Sequence, residues 1–102
     1  MIKPIEQSLE LDVVNLKKAA LVYRAINHKL RQQILRIIHQ NGRITVTPLY
    51  KKMHLVQSEA SMHLAILRKA GFVYAERHGK HIFYSVNYQR LEEIHRLTKS
   101  IM

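Results

Sequence analysis

The chain has 102 residues and no cysteine, so it is expected to form one domain, spanning 1–102, without disulfides, thiolate metal sites or thiol redox chemistry. Lys and Arg number 17 against 7 Asp and Glu, a formal charge of +10, which exceeds what solubility needs and points to a polyanionic partner. No apolar run approaches the ~18 residues of a membrane span, and acids interrupt MIKPIEQSLELDVV where a signal peptide would be apolar, so the expected location is cytoplasmic, with no membrane partner.

The charge is uneven. Between Val13 and Ser58 there is no acid, while Lys17, Lys18, Arg24, Lys29, Arg31, Arg36, Arg43, Lys51 and Lys52 are all basic. Leu9 to Ile26 reads as a long helix whose apolar positions Leu9, Val13, Leu16, Ala20 and Tyr23 step by four and three, the seam used between helices. A second set, Val14, Leu21, Val22, Ala25 and Ile26, widens that surface, so the helix should touch both its own core and a partner. Dimerisation would help a chain that can build only a modest core.

Asn27 is positioned to cap the next helix, which buries Leu30, Ile34, Leu35, Ile37 and Ile38 and ends at Asn41-Gly42. A short helix follows from Val46 to Met53, with Pro48 in its first turn and Leu49 and Met53 inward. Another, SEASMHLAILRKA, closes at Gly71. The period then changes: FVYAERHGKHIFYSV carries β-branched and aromatic residues on both sides of His78-Gly79-Lys80, a hairpin with strands at about Val73–Arg77 and His81–Val86. Tyr88, Leu91, Ile94, Leu97 and Ile101 mark a last helix with a thin apolar stripe, a second candidate partner surface alongside His95. The fold class is mainly α with a β-hairpin wing, a winged helix-turn-helix of order α-α-α-α-β-β-α.

On the helix before the hairpin, about 100° per residue puts Ala60, Leu64 and Leu67 on one side, with His63 and Ala70 flanking them. Gln57, Ser58, Ser61, Met62, Ala65, Arg68 and Lys69 fall on the other. His63 is therefore expected to pack beside the core and bond to a neighbouring helix. Gln57, Ser58, Ser61 and Met62 occupy the end that a recognition helix pushes into the major groove, where Gln can pair with adenine, Ser with several bases and Met with a thymine methyl. Glu59 lies off that face, in the first turn, where the helix dipole favours an anion.

The stretch RAINHKLRQQILRIIHQNGRITVTPLYKKMHLVQSEASMHLAILRKAGFVYAERHGKHIFYSV resembles the ArsR/SmtB-type winged helix-turn-helix regulators over about Tyr23 to Val86. Arg31 with Ile34-Leu35 is similar to the family's R-x-x-I-L. Gln57-Ser58, Ser61, His63-Leu64 and Leu67 are similar to its Q-S-x-x-S-x-H-L-x-x-L, and Ala70-Gly71-Phe72-Val73 to its A-G-L-V. Gly79 with Tyr84-Ser85 matches its wing. The resemblance implies a homodimer joined through the first helix (about 9–26) and the last (about 88–101), double-stranded operator DNA as partner, and repression as the output.

The departures concern metals. Where the family's thiolate site reads L-C-V-C-D, this chain has Ile44-Thr45-Val46-Thr47-Pro48, which excludes arsenic, cadmium or lead sensing there. The family's other site uses Asp and His at the start of the last helix and His-x-x-Glu near its end. Here Asn87-Tyr88-Gln89 precede a single His95, with Glu92 one turn earlier; a symmetric dimer could double that pair into a four-ligand zinc site, but the favoured reading is a surface His95 at the interface edge, with no metal or other cofactor expected. Val56 replaces the usual capping residue of the recognition helix, so the helix is expected to start later, capped by Ser58.

The first function reading is a dimeric, sequence-specific DNA-binding repressor acting on a near-palindromic operator. Arg43, Lys51 and Lys52 hold phosphates beside the recognition helix, Arg68 and Lys69 at its end, and Arg77, His78, Gly79, Lys80 and His81 place the wing on the backbone or minor groove. The second is an interaction module that binds a protein or an RNA through the same basic surface. An effector, small molecule or protein, is compatible with the first and is not specified by the residues. An enzyme is not expected: no nucleophile–base pair has recognisable spacing, no Gly-rich phosphate loop is present, and the seven histidines are scattered.

Overall fold

A computed structural model describes residues 16–101. Helix α1 covers 16–26, followed by α2 (Lys29–Asn41), α3 (Val46–Met53), α4 (Gln57–Lys69), strands β1 (Val73–His78) and β2 (His81–Val86), and α5 (Tyr88–Ile101). The order is the one expected.

Helix α1 stops because the next helix satisfies its last carbonyls. The Arg31 guanidinium donates to the carbonyls of Ala25 (2.5 Å) and Arg24 (3.0 Å), and Gln32 Nε2 donates to Ile26 O at 3.0 Å. The α2 cap differs from expectation. His28, rather than Asn27, is the N-cap, its Nδ1 accepting from Leu30 N–H at 3.2 Å, while Asn27 N–H still donates to Tyr23 O in the last turn of α1. The chain needs Asn27 to finish one helix, which leaves the capping role to the next residue. Gly42, at φ 74, ends α2.

Between α2 and α3, Ile44 forms an antiparallel bridge to Tyr84 of β2, its N–H donating at 3.0 Å and its carbonyl accepting at 2.8 Å. This adds a fragment of a third strand to the wing. Helix α3 begins after Thr45 and ends at His54, which takes a left-handed conformation (φ 55). Helix α4 begins at Gln57 with Val56 as N-cap and no side-chain capping bond, so the expected later start at Ser58 is corrected. An extended Val56 backbone suffices, because its carbonyl already accepts the Ala60 N–H at 3.2 Å.

The end of α4 is a Schellman motif. Gly71 sits at φ 87, its N–H donates to Arg68 O at 3.0 Å, and Phe72 N–H donates to Leu67 O at 2.9 Å. The turn delivers Phe72 into the core and launches β1. Strands β1 and β2 pair antiparallel from Val73↔Val86 to His78↔His81, leaving Gly79-Lys80 as the turn. Among these two only Gly79 has positive φ (64), the pattern of a II′ hairpin turn. Asn87 then caps α5, its Oδ1 accepting from Arg90 N–H at 3.2 Å while its Nδ2 donates to Gly71 O at 2.8 Å.

One core joins these elements: Ala25, Ile34, Leu35, Ile38, Ile44, Leu49, Leu64, Leu67, Phe72, Val73 and Val86. Leu91 and Ile94 of α5 pack half-buried against it, so part of the thin stripe read as a candidate partner surface covers the protomer's own core. The physical reason is the Asn87 anchor, which starts α5 against the end of the wing. Val22, Ala25 and Ile26 of α1 also face the core, whereas Leu16 (65% exposed), Ala20 and Tyr23 (48%) face solvent. Leu9 and Val13, and the side chain of Ile101, lie outside the described residues. Among those residues no helix is long and apolar enough to cross a membrane.

Candidate nucleic-acid interface

Helix α4 divides as its periodicity requires. Ala60, His63, Leu64 and Leu67 are buried, while Gln57, Ser58, Ser61, Met62, Ala65, Arg68 and Lys69 are exposed. Met62 is 51% exposed, an arrangement that lets its thioether meet an apolar group. Helix α3 packs against α4 through the buried Leu49, and presents Lys51 and Lys52 outward. Lys52 Nζ donates to Asn41 Oδ1 at 3.3 Å, which steadies it between α2 and α3.

The Arg43 guanidinium stacks on the Phe83 ring of β2, 4.5 Å from the centroid, which ties it to the wing. The Ile44–Tyr84 bridge brings it there. His78 also packs on Phe83, edge to face at 5.6 Å, and lies 3.4 Å from Glu76. Arg77, Gly79, Lys80 and His81 are exposed at the wing tip. Among the described residues the ion pairs are His78–Glu76, Arg90–Glu93 and Arg96–Glu92, so Lys51 on α3, Arg68 and Lys69 on α4, and Arg77 and Lys80 on the wing have no acidic partner there.

Between α4 and the wing runs a notch of about 390 Å³ lined by Ser61, Leu64, Ala65, Arg68, Lys69 and Tyr84. Sequence reasoning did not select Tyr84 as a site residue. The strand's alternation marked its face, but its position opposite Arg68 depends on how the hairpin folds back onto α4.

His63 is 4% exposed, as expected of a residue beside the core. Its Nδ1 lies 3.3 Å from an Arg31 Nη1, and its ring is 5.0 Å from that of His28. A guanidinium has no acceptor, so this bond requires an unprotonated Nδ1. The same Arg31 holds the end of α1, and therefore ties α1, α2 and α4 together. Burial, then the nearby His28 and Arg31, push the His63 pKa below its ordinary 6.5, with Glu59 opposing. At pH values just below 6.5 the unfolded chain then binds the proton that the folded chain refuses, and stability rises with pH. The His63 contribution is complete above pH 6.5 and is lost as pH falls through the lowered value. Urea unfolding at pH 7.5 and 5.5 should show a loss on acidification that shrinks in His63→Gln. Equal losses in the two proteins would remove His63 as the cause.

On α5, Glu92 accepts from Arg96 at 2.6 Å and His95 is exposed one turn on. Among the described residues no three His, Cys, Asp or Glu side chains come together in a metal-binding group.

Comparison with known proteins agrees with this geometry. Residues 31–80, from α2 to the wing turn, match the MarR family model. The HTH-type transcriptional regulator MJ1325 of Methanocaldococcus jannaschii is 33% identical over 85 residues, 83% of this chain and 96% of that protein. The transcriptional activator HlyU of Vibrio cholerae is 32% identical over 87 residues, 81% of this chain and 80% of its own. The solution structure of the homodimeric winged helix-turn-helix DNA-binding domain Mb0332 of Mycobacterium bovis, a possible ArsR-family regulator, superimposes with a TM-score of 0.69 at 27% identity, covering 88% of this chain and 80% of that one. A helix-turn-helix with its hairpin wing and relatives matched over most of their length lead to one assignment: the chain belongs to the HTH-type transcriptional regulators, as an ArsR-like winged helix-turn-helix protein whose sequence has no cysteine for the family's thiolate metal site.

Proposed function

We propose that the chain acts as a homodimer that reads a near-palindromic DNA operator through α4 and represses transcription by occupying it. The observation that carries this reading is the composition of the exposed α4 face: small and neutral readers at its start, Gln57, Ser58, Ser61 and Met62, and free cations at its end, Arg68 and Lys69. Neutral hydrogen-bonding groups discriminate base edges, whereas cations hold the backbone without regard to sequence. Lys51 and Lys52 on α3 take phosphates on one flank. Arg43, Arg77, His78, Lys80 and His81, displayed around Gly79, take them at the wing, and the Arg68–Tyr84 notch accommodates one between the two.

The solvent-facing seam of α1, Leu16, Ala20 and Tyr23, supports a two-fold dimer, met by α5 near the exposed His95; Leu9 and Val13, which continue the spacing in the sequence, lie outside the described residues. Such a dimer places two recognition helices about 34–36 Å apart, one turn of duplex, or a multiple of that. The homodimeric Mb0332 domain supports the same assembly. Repression is the simplest consequence, since a bound dimer excludes polymerase without further contacts. HlyU, an activator by name, makes the sign of regulation the quantity to measure. In vitro transcription from a promoter recovered by genomic fragment selection should fall as protein is added, and a rise would reverse the assignment.

Readers and clamps separate experimentally. Gln57→Ala should weaken the cognate operator by roughly 1–3 kcal/mol and relax one base position, if its pair is bidentate. Lys80→Ala should weaken every duplex alike and reduce the salt slope by about 0.9. Gel shifts across a salt series measure both. Identical behaviour would undo the division, and equal wild-type affinity for operator, random duplex and structured RNA would favour an interaction module.

A further inference from the structure

Away from the α4–wing face, α1, the C-terminal half of α4 and the start of α5 enclose an open groove of about 450 Å³, within the roughly 300–1,000 Å³ range of small-molecule sites. Leu21, Val22 and Ala25 of α1 form one wall and the floor, and Ile66 and Ala70 of α4 the other. Three cations, Lys18, Lys69 and Arg90, line it too, and among the described residues no acid does. Arg90 is partly committed, its Nε donating to Ala70 O at 3.1 Å and its Nη1 lying 3.4 Å from Glu93. Lys18 and Lys69 have no acidic partner among the described residues. They stand on opposite walls of an apolar trough.

We propose that this groove binds a single-chain aliphatic carboxylate, and that binding there weakens the DNA complex. The argument is charge complementarity. An aliphatic tail removes Leu21, which is 65% exposed, and its neighbours from water, while a carboxylate between Lys18 and Lys69 meets two cations that have no acidic partner among the described residues. A polyphosphate would leave the floor uncovered, and a neutral lipid would leave the lysines unused. The groove also survives the assembly proposed above. At about 100° per residue, Lys18, Leu21, Val22 and Ala25 lie on the side of α1 opposite Leu16, Ala20 and Tyr23. The coupling runs through Lys69, which lines both this groove and the notch beside the wing. A carboxylate on Lys69 takes that cation from a phosphate. This regulatory half rests on the DNA-binding reading; the site itself does not.

Titration of the full-length ¹⁵N-labelled protein with sodium octanoate tests the site without DNA. Saturable shifts of the Val22, Ile66 and Ala70 amides at one equivalent per protomer are expected, with octan-1-ol binding at least about tenfold more weakly. Lys18→Gln should lose about tenfold in octanoate affinity while its DNA affinity stays unchanged. Leu21→Glu should lose octanoate binding altogether, and the exposure of Leu21 keeps that variant folded, as circular dichroism would confirm. Shifts scattered over the basic surface without saturation, equal binding of the alcohol, or no response in the groove because the chain's own first fifteen residues or a second copy fills it, would each overturn the site. Saturating octanoate should weaken the protein–DNA complex roughly tenfold. A bound octanoate that leaves DNA affinity unchanged would overturn the regulatory half alone, and a protein that binds octanoate but no duplex would overturn the proposed function and leave the site standing.

Discussion

Phe72→Ala is expected to lower the unfolding free energy by about 3–5 kcal/mol. Phe72 is fully buried and, among the described residues, is the largest of the completely enclosed side chains. Its backbone is held on both sides, the N–H donating to Leu67 O at 2.9 Å and the carbonyl accepting from Asn87 N–H at 2.8 Å, so the main chain cannot slide inward to fill the space left by the ring. Domains of this size have roughly 5–15 kcal/mol in total, and the loss therefore consumes a large part of the margin. The ring also sits where α4 hands over to β1, so the wing should loosen relative to the recognition helix before the domain unfolds globally. Urea denaturation followed by circular dichroism measures the first effect, and hydrogen exchange of the β1 amides the second. Met62→Ala, on the exposed face of the same helix, should stay within about 0.5 kcal/mol of wild type. A loss below about 1.5 kcal/mol at Phe72 would mean that the core collapses around the cavity more freely than this anchoring allows.

Leu16→Glu is expected to turn the proposed dimer into a monomer and to reduce operator affinity by about 10²–10⁴-fold. Leu16 is 65% exposed in the protomer, so a carboxylate there meets only water until a second seam approaches, when it must be buried against apolar neighbours. The variant should fold as well as wild type, which separates this effect from that of Phe72. Sedimentation equilibrium should show the monomer mass. Binding to an isolated half-site should be unchanged, and binding to the full operator should drop to the half-site value, because the gain from joining two recognition helices is lost. A variant that remains dimeric would move the interface away from α1.

Much of this was readable from residue order. Apolar spacing of three and four identified Ala60, Leu64 and Leu67 as the inner side of α4 and set His63 beside them, and the structure buries all four. The switch to alternation after Gly71 located the hairpin to within a residue, and Gly79 marked its turn. The caps were less legible. Asn27 has a better capping side chain than His28, and Ser58 than Val56, yet in each case the neighbouring element decided where the chain had to turn.

Periodicity is local, and it determined the elements, their buried faces and the outward display of Gln57, Ser58, Ser61 and Met62. Meetings between distant residues were decided only in three dimensions. Arg31 reaches His63 across 32 positions, Arg43 lies on Phe83 because Ile44 pairs with Tyr84, and Lys18 faces Lys69 across a trough built from two helices. The physical reason is that a side chain's burial follows from its own helix or strand, whereas its partner follows from the packing angles of every element between them, which no spacing in the chain records.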